Sequence, residues 1–306
     1  MKFISIFKEE FNEYVKYKKS MGYDYSKDVV NTYVRLDRFF NDNNLTKKEI
    51  TEELYDNWLI KRENESNNTH AIRYTAIRQF CSYLIQNNYQ NIYYSDEYNI
   101  KYKKEFIPHI YTDEEIVNIF KLSANINLTF ETIIKLLYST GLRISEALNI
   151  ELDNVNLKNN QISIINSKNN VSRIIVMSNS MSNKLKEYID SKIYFDTKYL
   201  FSSKGRKYSY KRVRINYCKI LDSLGIKARI HDLRHTFAVN SLNQMVEKGY
   251  DIYTSLPLLS QYMGHKRIES TEYYLRFIDK YYDDITNSVN NYYGNIYPTF
   301  EVSNEL

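Results

Sequence analysis

A chain of 306 residues with a net charge of +5, only 7 glycines and only 3 prolines has room for two domains and a substantial core, and favours long helices over many short strands. Its 2 cysteines, Cys81 and Cys218, stand in no Cys/His array, which excludes a zinc signature or disulfide framework and fits a reducing, cytoplasmic location. Lys8, Glu9 and Glu10 interrupt the apolar start and no apolar run nears the ~20 residues of a bilayer span, so neither a signal peptide nor a membrane partner is expected.

The first hundred residues read as a helical domain, 1–100. Phe7, Phe11, Tyr14 and Val15 recur at helical spacing, as do Val29, Tyr33, Leu36 and Phe40 behind a Ser26 cap. Thr46 and Glu49 form a capping-box pair ahead of a third helix in ITEELYDNWLIKRE. A fourth follows in THAIRYTAIRQFCSYLIQ, with Ile72, Ala76, Phe80 and Leu84 on one face. No catalytic cluster occurs in this region.

Pro108 then stops any helix, and Thr112 with Glu115 caps the next. A basic linker carrying Lys101, Lys103 and Lys104 is therefore expected over 101–108. The second domain, 109–289, opens with helices that include TFETIIKLLYSTGLRISEALNI. QISII and RIIVM flank the polar NSKNNVS and predict a hairpin, after which helices resume from about Tyr208. The Asn-rich tail, 290–306, is expected to be flexible or to dock on a partner. The fold class is mainly α with a small β-hairpin or sheet, an α+β protein in two domains.

Charge is unevenly spread. Residues 201–240 hold 10 basic and 2 acidic side chains, with Tyr208, Tyr210 and Tyr217 interleaved. This reads either as a solvated basic face or as a phosphate-facing surface, with Lys204, Arg206, Lys207, Lys211, Arg212 and Arg214 as the candidate DNA contacts.

Six residues carry candidate chemistry. Arg143 follows Gly141 near a helix start and shares a face with Glu146. The pair is either an ordinary ion pair or an arginine fork, oriented by a carboxylate toward phosphate oxygens. His231 and Arg234 are also three apart, with His235 beside them, at a helix start that offers free N–H groups to an anion. His265 precedes Tyr274 by nine residues. Lys168 sits in the hairpin turn, either solvated or carried into a site as a proton donor. GHKRIESTEYYLR sets Tyr273 beside Tyr274 among 31 tyrosines, and the residues alone do not separate a nucleophile from filler.

As a set these groups suit one reaction. A phenol of pKa about 10 is a poor nucleophile at neutral pH, and fixed cations with a histidine lower the cost of deprotonating it. The same cations stabilise a pentacoordinate phosphoryl transition state, and a lysine supplies the acid for the leaving oxygen. With guanidinium groups neutralising phosphate, neither a metal nor another cofactor is needed.

In YSTGLRISEALNIELDNV, HDLRHTFAVNSL and LLSQYMGHKRIESTEYYLR, in that order and with the hairpin lysine between the first two, residues 109–285 resemble the tyrosine recombinase, or phage integrase, family of site-specific DNA recombinases. By position, the resemblance assigns the family's two arginines to Arg143 and Arg234, its lysine to Lys168, its histidines to His231 and His265, and its nucleophile to Tyr274. It implies attack by Tyr274 on a scissile phosphate, giving a 3′-phosphotyrosyl link and a 5′-hydroxyl that a partner strand replaces. It further implies double-stranded DNA with specific recombination sites as partner. A C-shaped clamp with a SAM-like, core-binding N-terminal domain is expected, as is a homotetramer on DNA that exchanges tails from about Asn290.

One segment departs from the compact, chromosome-dimer-resolving members. NQMVEKGYDIYTSLPLLSQ is longer than theirs and resembles integrases and transposases of mobile elements from low-G+C bacteria. That directs the expectation to integration or excision of an element. Two alternatives stay open: a type IB DNA topoisomerase, and a DNA-binding relative without activity.

Overall fold

The computed structural model describes residues 3–23, 25–96, 107–165, 172–192, 197–265 and 267–277. The chain forms two compact units, Met1–Phe106 and Ile107–Leu306. The hairpin turn with Lys168, linker residues 101–106 and the tail 290–306 lie outside the described residues.

The first unit holds α1 (Lys8–Ser20), α2 (Lys27–Asp42), α3 (Glu52–Leu59) and α4 (Asn67–Gln86). Phe7, Phe11, Tyr14, Phe40, Trp58 and Phe80 are buried where these helices meet, and the Phe11 and Phe80 rings stack at 3.9 Å. Each such ring removes on the order of 150–250 Å² from water, which makes this stack the hub of the unit. Asp37 of α2 accepts from the backbone N–H groups of Ile4 and Ser5, at 2.7 and 3.0 Å, and so anchors the start of the chain. Several sequence expectations shift: Val29 is exposed on α2, and Ser26 stands at the N-cap of α2 without a side-chain cap hydrogen bond. Thr51, not Thr46, caps α3, by accepting from the N–H of Leu54. Ile72 is exposed, and Ala71, Tyr74, Ile77 and Cys81 join Ala76, Phe80 and Leu84 inside. The reason is that α4 contacts α1, α2 and α3, so its apolar face is wider than one stripe.

In the second unit α5 (Asp113–Ala124) begins with the expected capping box of Thr112 and Glu115. It packs on α6 (Leu128–Thr140), whose Phe130, Ile133, Ile134, Leu136 and Leu137 are buried. Gly141 ends α6 in the left-handed conformation, and a Cβ there would lie 2.3 Å from the Phe237 ring. The short α7 (Ile144–Leu148) leads into an antiparallel sheet of β1 (Val155–Asn156), β2 (Gln161–Ile164) and β3 (Arg173–Val176). The predicted hairpin is the β2–β3 pair, in a register that sets Ile164 opposite Arg173.

After α8 (Asn179–Asp190) the two-residue strands β4 (Ser202–Ser203) and β5 (Arg206–Lys207) pair. They are too short to show a period in sequence, and they delay the next helix, α9 (Tyr210–Ser223), by two residues from its expected start. There follow α10 (Asp232–Glu247), α11 (Ile252–Met263), α12 (Glu269–Glu272) and a 3-10 turn, Tyr273–Phe277. The architecture is mainly helical with small sheets, in the α+β class. No described helix is long and apolar enough to cross a membrane.

Candidate active site

A helix leaves its last carbonyls without intrahelical partners, and they carry the negative end of its dipole. At the end of α11, three consecutive carbonyls each take an arginine from a different element. Arg173, which opens β3, donates Nε to the Tyr262 carbonyl at 2.7 Å. Arg234 of α10 donates Nη2 to the Met263 carbonyl at 2.7 Å and Nη1 to the Gly141 carbonyl, at the end of α6, at 2.6 Å. Arg143, the N-cap of α7, donates Nη2 to the Gly264 carbonyl at 3.3 Å. Gly264 suits this crowding twice over. Its φ is 66°, a left-handed value that glycine tolerates, and a Cβ would lie 2.9 Å from Nη1 of Arg173.

Glu146 joins two of these arginines. It accepts from Nη1 of Arg143 at 3.0 Å, and from Nη1 and Nη2 of Arg173 at 3.1 and 2.8 Å. The backbone N–H of Arg143 donates to it as well, at 2.9 Å. Burial alone raises this carboxyl, but Arg173 and the Arg143 N–H outweigh it, and the net shift is downward. Arg234 is 2% exposed. Its burial, aided by the charge on Arg143, lowers its pKa to about 9, which leaves it a cation at neutral pH. Arg173 was not singled out from the sequence. The available signal was a charged residue opening an otherwise apolar strand.

Tyr274 lies in the 3-10 turn, only 3% exposed. Its ring joins an apolar cluster with Ala238, Val239 and Leu242 of α10 and Leu256, Leu259 and Met263 of α11. Burial raises the phenol pKa, and the charges on Arg234 and Arg143 oppose that rise. The hydroxyl forms a hydrogen bond with Nδ1 of His235 at 2.9 Å. Tyr273 is partly exposed and lies under the Arg276 guanidinium, 5.3 Å from it.

Three histidines lie near these arginines, and one of them, His235, meets the Tyr274 hydroxyl. His265 pairs Nδ1 with Oγ1 of Thr271 at 2.8 Å, and burial with the charges on Arg234 and Arg143 lowers its pKa to about 3. His231 keeps access to solvent, yet protein packed round its ring, with His235 and Arg234, lowers it to about 4. His235 meets His231 edge to face at 4.8 Å, and burial with Arg229 and Arg234 lowers it to about 4. All three are neutral at pH 7. Arg143, Glu146, His231, Arg234, His265 and Tyr274 thus gather at the ends of α6, α7, α10 and α11. Among the described residues no group of three His, Cys, Asp or Glu side chains is placed to hold a metal ion.

Of the basic candidates, Lys204, Arg206, Lys207, Lys211 and Arg212 line one open groove with Ser203 and Ser209. Arg214 is exposed on α9 but does not line it. Lys207 reaches Asn149, the C-cap of α7. Arg143 and Asn149 flank the five residues of α7, so about 9 Å of helix axis separates them.

Residues 110–280 match the family model described as the phage integrase family. Tyrosine recombinase XerA of Pyrococcus furiosus is 28% identical over 188 residues, which span 60% of this chain and 63% of XerA. A tyrosine recombinase of Pseudothermotoga lettingae is 26% identical over 257 residues, 82% of this chain and 86% of its own. Among solved structures, the Tn1549 transposon integrase in complex with transposon right end DNA is similar with a TM-score of 0.64 and 16% identity, over 87% of this chain and 94% of that one. At that identity the likeness speaks for the fold.

Proposed function

The chain belongs to the phage integrase family, and from that premise we propose that it is a site-specific tyrosine recombinase, which breaks and rejoins double-stranded DNA through a 3′-phosphotyrosyl intermediate. The observation that carries this reading is the convergence of Arg143 and Arg234 on two helix ends, with the buried Tyr274 hydroxyl inside their field. A scissile phosphate bound by both guanidiniums is attacked by the Tyr274 oxygen, and its bond to the 5′ oxygen breaks. Charge that develops on the phosphoryl oxygens meets donors already fixed in place, a contribution of about 3–4 kcal/mol per donor in comparable sites. Neutral His231 has one ring N–H for a phosphoryl oxygen, and His265 has one at Nε2 when its Nδ1 accepts from Oγ1 of Thr271. Lys168 gives a proton to the departing 5′ oxygen. Rejoining reverses the step with a 5′-hydroxyl from a partner strand, so bond energy is kept without a nucleotide cofactor.

The basic groove between β5 and α9 supplies sequence-independent phosphate contacts. The family reading adds a homotetramer on DNA. We assign the chain to the mobile-element members, acting in integration or excision. The length of the α10–α11 segment supports this.

A covalent-trapping assay tests the proposal. Labelled, nicked duplexes from the DNA flanking the coding sequence are incubated with the protein, denatured in detergent, and the linked peptide is identified by mass spectrometry. The expected adduct is on Tyr274, with none from Tyr274→Phe, whose DNA affinity should be unchanged because only the nucleophilic oxygen is lost. An adduct on another tyrosine would overturn the assignment of the nucleophile. Specific binding without any adduct would favour an inactive DNA-binding relative. Relaxation of supercoils without exchange between two duplexes would favour the topoisomerase.

A further inference from the structure

The mechanism above leaves the proton of the Tyr274 hydroxyl without a destination. We propose that His235 orients that hydroxyl and takes its proton through Nδ1 as the phenol attacks phosphorus. The inference rests on the strand-breaking reading and extends it to a residue which that reading does not use.

Nδ1 of His235 is the hydrogen-bond partner of the Tyr274 hydroxyl, at 2.9 Å, within a largely buried pair. The other ring nitrogen, Nε2, faces Oδ1 of Asp232 at 4.0 Å. Asp232 also accepts from the backbone N–H and Nη2 of Arg229, at 2.8 and 3.2 Å. A carboxylate beside Nε2 favours the tautomer with hydrogen there, which leaves the Nδ1 lone pair to accept from Tyr274. Asp232, His235 and Tyr274 then stand in the order orienter, base, nucleophile. The i, i+3 spacing of the first two puts them on one face of α10, at ion-pair rather than hydrogen-bond distance. His265 is engaged with Thr271 instead, and His231 packs edge-on against His235.

The charges round the ring agree with this role. His235 faces Arg229 from the loop before α10, Arg234 and Asp232 from α10 itself, His231, and Tyr274 from the 3-10 turn. Burial and the two arginines keep it unprotonated at neutral pH, hence able to accept. A phosphate anion held by Arg143 and Arg234 offsets the Arg234 field and makes an imidazolium less costly when the proton arrives. In the step, the Tyr274 O–H bond breaks, the proton passes to Nδ1, the phenol oxygen bonds to phosphorus, and the 5′ oxygen leaves with a proton from Lys168. On rejoining, the 5′-hydroxyl gives its proton back to Lys168, and His235 returns its own to the departing Tyr274 oxygen.

Two measurements on the full chain test this. Without DNA, ¹⁵N-histidine spectra of the five histidines should show His235 protonated at Nε2 at pH 7, with an Nδ1 resonance that moves in Tyr274→Phe. Hydrogen on Nδ1 would overturn the proposal. With DNA, a nicked duplex selected for binding by Tyr274→Phe is cleaved in single turnover by wild type, His235→Asn and His235→Ala. Asn keeps an acceptor near the Nδ1 position but takes no proton. Both variants should bind DNA as wild type and cleave about 10²–10⁴-fold more slowly. Placing the more acidic 3-fluorotyrosine at position 274 should speed His235→Asn more than wild type. Wild-type cleavage by His235→Asn, or an equal fluorotyrosine effect in both backgrounds, would sink the role of His235. A wild-type protein that forms no adduct would count against strand breakage instead, and the DNA-free spectra would still judge the hydrogen bond.

Discussion

Glu146→Gln replaces a single atom in a buried cluster, and its effect follows from what that atom holds. Glu146 is 6% exposed, and four donors converge on its two oxygens. Glutamine keeps one oxygen and turns the other into an NH₂ group facing a guanidinium that can only donate. Arg173, with a side chain 7% exposed, then holds its charge against little more than the Tyr262 carbonyl. Removing one partner of a buried pair costs about 3–5 kcal/mol, and the retained oxygen reduces this to about 2–3 kcal/mol. In a unit of this size each kcal/mol moves Tm by about 2–4 °C, so the expected fall is about 4–12 °C. Thermal unfolding followed by circular dichroism at neutral pH measures it. The pH dependence gives a second check. The folded pKa of Glu146 lies below its unfolded value near 4.3. Its contribution is therefore complete above about pH 5 and is lost as pH falls through the lower, folded value. The gap between wild type and variant should stay constant from pH 7 to about pH 5 and close in more acid solution. An unchanged Tm at neutral pH, or a gap that persists in acid, would refute the claim that this carboxylate holds the arginines. Arg173→Met should also cost less in the Glu146→Gln background than alone, with a coupling of about 1 kcal/mol or more.

Arg143→Ala and Arg234→Ala should each slow single-turnover cleavage by about 10²–10³-fold. Arg234→Ala should also lower the urea midpoint substantially, since it strips two buried carbonyls of their donor; an unchanged midpoint would argue against that anchoring. Gly141→Ala forces a side chain onto a φ of 62° and into the Phe237 ring, and should destabilise by about 1–3 kcal/mol in urea unfolding. No loss would mean that the α6–α10 contact yields easily. Neutralising Lys211, Arg212 and Arg214 together to Gln should reduce the slope of log affinity against log salt by about 2–3. An unchanged slope would show that this face does not meet phosphate.

The helices and the β2–β3 hairpin were legible because periodicity and capping are local signals, as in the Thr112–Glu115 box. Strands of two residues carry no period, so β4 and β5 were hidden. The α3 start was misplaced because two threonines, Thr46 and Thr51, compete for one cap and only the structure shows which accepts from Leu54. In the site, spacing brought out the pairs that lie on one helix face, Arg143 with Glu146 and His231 with Arg234. Arg173 escaped because its partners, Glu146 and Tyr262, are 27 and 89 residues away. His235 was seen beside its neighbours but given no task, since its link to Tyr274 spans 39 residues. Contacts that close over such distances have no signature in a single chain.

The charge pattern explains why the site is built on helix ends. Glu146 offsets one of the charges on Arg143, Arg173 and Arg234, so the cluster keeps two net positive charges beside three uncharged histidines. Two guanidiniums in mutual reach are unfavourable, and the charge on Arg143 indeed weakens the hold of Arg234 on its proton. Carbonyls at the ends of α6 and α11 hold Arg234 without bringing a full negative charge, while the single charge of Glu146 is shared between Arg143 and Arg173. The three arginines are thereby fixed in place with only one carboxylate among them. On the proposed reaction, a phosphodiester brings one negative charge and its pentacoordinate transition state two. The two net positive charges of the cluster interact more strongly with the second than with the first, and only that difference accelerates the step.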